Sequence, residues 1–277
     1  MEATQVIPEP SARVQVSDED ELDVWAVGEG IPVVLIHGGF FCDLLAPLAE
    51  ELVKKGDYRA IRYHRRGYNG KQTQPVDIPD QARDVVQILD ELEIGEAHVL
   101  GHSVGAPFAL EVAMQAPDRL SSAALLDFAL ANQVASGHVL TEASLPSIEK
   151  AQAGDVRGAA EDWLTLLGAS RALMDRTLPG SWSAMIEDAP TWFQVDLPAL
   201  GKWTPDPARV AAIEVPLAYL GVSELPPFRE TGELLQEWLP DLTVLEIATD
   251  DHFFPVSATD EAARVIDHWI RSQGTSN

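Results

Sequence analysis

Two kinds of hydrophobic pattern alternate along most of this chain. A continuously apolar run over 32–37 reads as a strand buried on both faces of a sheet, and 120–127 and 215–221 read as further strands. Between them, apolar positions recur at helical spacing, most clearly Ala82, Val85, Val86, Leu89 and Leu92 within 79–93. Further helices are predicted over 43–55, 104–115, 229–239 and 257–271, and further strands over 58–63, 96–100 and 243–247. After a polar, proline-bearing lead-in over 1–11, alternation at 12–16 and 22–27 around an acidic turn predicts an antiparallel hairpin at a sheet edge. Strands and helices alternating at this spacing imply right-handed crossovers, hence an α/β fold with a mostly parallel central sheet flanked by helices.

The rhythm fails once. From 129 to 207, helical segments around 141–153, 156–167, 171–178 and 182–186 follow one another with no convincing buried strand. The return Thr204-Pro205-Asp206-Pro207 marks re-entry, so 1–128 and 208–277 are read as one core domain and 129–207 as an insertion into it. Four of the seven tryptophans (Trp163, Trp182, Trp192 and Trp203) fall in the insertion. Most belong in the insertion's own small core and its seam with the main domain, while one or two are expected to line an apolar pocket. Trp163, Trp182 and Trp192 are the candidates.

Composition narrows the partners. Among 277 residues, 44 acidic against 19 basic side chains give a formal charge of −25, which repels phosphate backbones and anionic lipid. Neither nucleic acid nor a membrane surface is an expected partner. Cys42 is the sole cysteine, which rules out a disulfide within the chain. The first residues lack a basic, then apolar, leader and no apolar run reaches membrane-spanning length, so the expectation is a cytoplasmic protein. The seven histidines show no metal-ligand spacing; no metal and no cofactor are predicted. Nothing in the chain speaks to an oligomeric state.

Chemistry concentrates where one strand runs into one helix. Gly101-His102-Ser103-Val104-Gly105 places a serine on a sharp strand-to-helix turn, with glycines where the two backbones must nearly touch. The helix that follows aims its first N–H groups at the serine, so an anion forming there meets donors and a positive dipole end. The strand over 32–37 ends in His37-Gly38-Gly39-Phe40, a glycine-rich loop suited to a second donor. The main-chain N–H of Gly39 or Phe40, with that of Val104, forms the candidate oxyanion hole. Ligands of such sheets sit at the carboxyl ends of the strands, where His37, Ser103 and Asp127 fall; His37 and His102 are therefore candidate pocket residues. His252, in the loop after the last strand, is the candidate general base. Arg65 and Arg66 read as partners for neighbouring carboxylates.

These pieces, with Tyr63-His64-Arg65-Arg66-Gly67-Tyr68 and Asp251-His252-Phe253, lie in an order over about 220 residues that resembles the α/β-hydrolase fold superfamily, in particular its serine esterase and lactonase members. The resemblance implies that the insertion forms a helical cap over the site. It also implies a third catalytic residue, a carboxylate to orient His252, for which two positions compete. Glu224 is favoured, because Gly221-x-x-Glu224 and the interval to His252 match the family's usual acid; Asp127 occupies a post-strand position that some relatives use instead. Two departures stand out: His64 where aspartate is frequent, and Asp251 where glycine commonly precedes the histidine. The implied activity is hydrolysis of an ester, lactone or thioester of a hydrophobic small molecule through an acyl-serine. Carbon–carbon bond hydrolysis or acyl transfer would use the same residues, and a slow-turnover ligand-binding protein would keep the same pocket.

Overall fold

In the computed structural model, which describes residues 8–273 apart from 69 and 72, the chain runs through an eight-stranded sheet. Its first half comprises β1 (Ala12–Gln15), β2 (Glu21–Val27), β3 (Ile31–Ile36), α1 (Ala46–Lys55), β4 (Tyr58–Tyr63), α2 (Ile78–Glu91), β5 (Ala97–His102), α3 (Gly105–Gln115) and β6 (Leu120–Leu126). The helical stretch that follows contains α4 (Gly137–Gln152), α5 (Val156–Leu166), α6 (Arg171–Thr177), α7 (Ser181–Glu187), α8 (Ala189–Thr191), a π-helical turn at Trp192–Asp196, α9 (Leu197–Lys202) and α10 (Pro207–Ala211). The chain closes with β7 (Leu217–Leu220), α11 (Pro226–Trp238), β8 (Thr243–Leu245), α12 (Phe254–Ser257) and α13 (Thr259–Gln273).

The strands lie in the order β1-β2-β4-β3-β5-β6-β7-β8. From β4 to β8 every pairing is parallel, and the antiparallel pairings, β1–β2 and β2–β4, lie at one edge, as the alternating pattern there implies. The continuously apolar strands bury both faces. Val34, Ile36 and Val99 face a core shared with α2, α3 and the helical stretch; Val33, Leu35 and Leu100 face one closed by α1 and α13. Transfer of such side chains from water, roughly 1.5–3 kcal/mol each, is what holds the strand ends rigid enough to carry a site.

Most predicted elements are present within a few residues. The helix expected over 43–55 begins at Ala46, because 42–45 turn first. The last strand, expected to reach 247, ends at Leu245. The run from α8 through α9 was not expected. Pro190 and Pro198 interrupt its helical pattern, and Pro198 lacks the N–H that an α-helix would use. The widened turn just before it accommodates that loss: Leu197 N–H reaches the Trp192 carbonyl, five residues back.

Candidate active site

The serine turn is built as steric logic demands. Ser103 has φ +52°, a left-handed conformation unusual for a side-chain-bearing residue. Its N–H donates to the Leu126 carbonyl at 2.8 Å, and its carbonyl accepts from Ala106 N–H at 2.9 Å, so β6 and α3 hold the strained residue from both sides. A Cβ on Gly101 would collide with the Gly105 carbonyl, and one on Gly105 would collide with the Ile36 carbonyl of β3. Strand, helix and neighbouring strand meet there with room for hydrogen alone.

His252, buried in the loop between β8 and α12, puts Nε2 3.1 Å from Ser103 Oγ and Nδ1 2.6 Å from Asp127 Oδ2. With a carboxylate on Nδ1, that nitrogen carries the proton and Nε2 is free to accept from the serine hydroxyl. Asp251 shapes the loop: it takes Phe253 N–H on Oδ1 at 2.8 Å, while its own N–H goes to Thr249 Oγ1 at 3.2 Å.

Asp127 follows β6 with φ +46° and no exposed surface. Its Oδ1 accepts from Val222 N–H at 2.8 Å and Ser223 N–H at 3.0 Å, leaving Oδ2 for His252. Burial alone would raise its pKa, but the hydrogen bond and charge of His252, with the two main-chain amides, hold it below the ordinary carboxylate value. Glu224 is not part of this arrangement. It is exposed, in a surface cleft with Tyr219, Arg229, Glu233 and Gln236. The preference for Glu224 is thereby corrected: the turn after β7 brings its amides, not its carboxylate, to the site, and the Asp127 carboxylate already fills the position beside His252.

Gly39, Phe40 and Val104 line a small cavity of about 20 Å³ together with Ser103, His102 and His252. Val104 caps α3, so its N–H belongs to the first-turn donors that a helix leaves unpaired. Phe40 has φ +64°, and Phe41 N–H turns back to the Gly39 carbonyl at 2.8 Å. His102 faces the cavity as a neutral ring: Nε2–H donates to the His252 carbonyl at 2.9 Å, and burial, then the proximity of His252, pushes its pKa down to about 3. His37 lies elsewhere. Buried below the loop, it donates from Nδ1 to the Gly38 carbonyl at 2.7 Å and accepts Arg65 N–H on Nε2 at 3.0 Å, so it braces the loop and does not line the cavities around Ser103.

Trp163 and Trp192 form an aromatic wall with Phe40; Trp163 and Trp192 have ring centroids 5.0 Å apart, and Phe40 and Trp192 5.1 Å. Trp182 is packed inside the helical stretch and touches none of these cavities. Beyond Ser103 lies a cavity of about 90 Å³, lined also by Pro107, Phe128 and Phe228, and it shares Trp163, Trp192 and Leu200 with the lining of an apolar chamber of about 330 Å³. Phe128 and Phe228 were not foreseen, since nothing in their local sequence separates them from core positions.

Cys42, Asp43 and His64 have potential ligand atoms within 4.8 Å of one another. The Arg62 guanidinium pairs with the same Asp43 oxygen that faces His64, so these side chains already share one buried polar network. The Cys42 thiol lies 3.8 Å from Asp43 Oδ2 and 3.6 Å from Asp188 Oδ2; burial, then these carboxylates, push its pKa well up. No helix among the described residues is long and apolar enough to cross a membrane.

A family model described as alpha/beta hydrolase fold matches residues 31–196, and the chain belongs to that family. It is 28% identical to the esterase YbfF of Escherichia coli K12 over 156 residues, 54% of this chain and 61% of that protein. The first curated relatives are matched over only 30–61% of their own length. Solved structures align almost end to end. A thermophilic esterase from Thermogutta terrifontis gives a TM-score of 0.77 at 18% identity, covering 95% of this chain and 99% of that one. The enol-lactonase from Burkholderia xenovorans LB400 gives 0.69 at 19%, covering 93% and 99%. At such identities the structural likeness establishes the fold.

Proposed function

We propose that the protein is a serine hydrolase that cleaves an ester, lactone or thioester of a hydrophobic small molecule through an acyl-serine intermediate. The observation that carries this is the unbroken line Ser103 Oγ, His252, Asp127, with separations of 3.1 and 2.6 Å. A hydroxyl is a weak nucleophile until a base takes its proton, and an imidazole fixed by a buried carboxylate meets that need. Resemblance over half the chain to an esterase agrees with it.

In the proposed cycle, His252 Nε2 removes the Ser103 proton as Oγ attacks the acyl carbon. The carbonyl oxygen becomes an oxyanion between Val104 N–H and the loop donor at Gly39 or Phe40, each worth on the order of 3 kcal/mol in the transition state. Asp127 stabilises the imidazolium and keeps its Nδ1 proton. Collapse breaks the bond to the leaving oxygen or sulfur, which takes the proton from Nε2. Water, deprotonated by the same nitrogen, then releases the acid and restores Ser103. The helical stretch over 129–207 serves as a cap: its Trp163 and Trp192 line the cavity that holds the serine, and the chamber of about 330 Å³ offers room for an apolar group.

The test is acylation itself. Exposed to a fluorophosphonate and to p-nitrophenyl esters of graded chain length, the protein is expected to be modified on Ser103 and to release p-nitrophenol, with Ser103→Ala abolishing both. Modification mapped to another residue, or esterolysis surviving in Ser103→Ala, would refute the proposal.

A further inference from the structure

We infer that Arg65 and Asp196 are positioning residues for the oxyanion hole, a buried ion pair through which the helical stretch aims the N–H of Gly39. The inference rests on the hydrolase reading and adds to it which loop amide is used and what holds it.

Both side chains are almost wholly buried, at 2% and 1% exposure. They meet in a bidentate pair, Nη1 to Oδ1 at 2.8 Å and Nη2 to Oδ2 at 2.7 Å, and the Tyr68 hydroxyl also donates to Asp196 Oδ2. Phe108 and Tyr68 flank the guanidinium, with ring centroids 4.7 and 4.9 Å away. What the arginine does with its other donors is the point. Nε–H goes to the His37 carbonyl at 3.2 Å and Nη2–H to the Gly38 carbonyl at 3.0 Å, which also receives His37 Nδ1–H at 2.7 Å.

A trans peptide unit is planar, with its C=O and N–H pointing in opposite directions. Two donors anchoring the Gly38 carbonyl therefore fix the direction of the Gly39 N–H in the same unit, and Gly39 lines the small cavity with Ser103. The opposite side of the loop is held by the same turn that supplies Asp196. Trp192, four residues earlier in the π-helical turn, lies so close over Gly39 that a Cβ there would run into its ring. One turn of the helical stretch thus grips the loop twice, through an indole above and through an arginine below. An arginine left without Asp196 in this site would be an uncompensated buried charge, so the loop and the helical stretch are ordered together.

The experiment measures stability, kcat and KM for a p-nitrophenyl ester, and the rate of Ser103 modification by a fluorophosphonate, in the full chain and in two variants. Asp196→Asn keeps the shape but not the charge; Arg65→Lys keeps the charge but cannot span two carbonyls and a carboxylate. Folded variants are expected to lose roughly 10–100-fold in kcat and in modification rate with KM within about threefold, the pattern of a donor felt only in the transition state. Arg65→Lys is expected to recover stability without recovering kcat, which a merely structural ion pair would not do. Should neither fold, Tyr68→Phe, which takes one donor from Asp196, is read the same way: reduced kcat at unchanged KM supports the inference. Folded variants with wild-type kcat and modification rate would overturn it. If the wild-type protein is not modified on Ser103, the hydrolase reading falls and takes this inference with it.

Discussion

The ends of β6 and β7 are neighbours in the sheet, and each leads to a carboxylate, yet the two side chains live in different worlds. Asp127 follows β6 directly, is wholly buried, and spends its oxygens on two main-chain amides and an imidazole. Glu224 stands four residues beyond β7 and is exposed. The difference lies in the backbone rather than in the acids. The left-handed turn at Asp127 sends its N–H to the Leu220 carbonyl at 2.6 Å, locking β6 to the last residue of β7. That contact lets the next turn of the β7 loop present Val222 and Ser223 N–H to the carboxylate. The β7 loop is thus a donor cradle for its neighbour's acid. A carboxylate becomes an orienting group where donors are already fixed around it, and chain spacing alone does not say where that is.

The largest loss is expected for Asp127→Asn. On the proposed mechanism it leaves the fold intact and reverses the hydrogen-bond direction at His252 Nδ1, so kcat for an activated ester is expected to fall by about 10⁴-fold. A loss below tenfold would remove Asp127 from its role. A second measurement separates the site from the rest of the core under acid. Asp127, held below the usual carboxylate value, contributes stability above that value, and this is lost only as the pH falls through its folded pKa. The buried histidines respond sooner. Burial lowers His98 to about 4 and His102 to about 3, so below the ordinary imidazole value of 6.5 the unfolded chain binds protons that the folded chain refuses. Urea denaturation between pH 7 and 4.5 is expected to show stability falling with acid, by up to about 1.4 kcal/mol per pH unit for each histidine. His98→Gln, far from the serine, should flatten that slope by about one proton without changing kcat; an unchanged slope would contradict it. The exposed carboxylate beyond β7 should matter least. Glu224→Gln should keep kcat/KM within about twofold, and a loss of orders of magnitude would restore it as the acid.

The serine turn was legible in the sequence because sterics leave no choice there: with β3, β5 and α3 converging, Gly101 and Gly105 are the only residue type that fits. The sheet was legible for a related reason, since strands buried on both faces cannot hide their composition. Spacing favoured Glu224 over Asp127, because the amides that distinguish them come from a register between β6 and β7 that no local pattern encodes. Trp182 and Trp192 differ in the same way: both are apolar, but the π-helical turn swings one over the loop, and that turn is masked by Pro190 and Pro198. Asp196 reads as one more acid in a chain of 44 acidic residues until its partner is seen. His64 and Asp251, the two departures from the family's usual residues, find their explanation in contacts, one with Asp43 and one with its own loop.

The placement of Cys42 has a practical side. Enclosed, protonated and flanked by two carboxylates, its sulfur is shielded from alkylating reagents and from thiol exchange, both of which attack through an accessible thiolate. A second cysteine introduced on an exposed face of α4 would then be the single thiol open to maleimide chemistry. Labelling at the introduced position is therefore expected to proceed with Cys42 left in place.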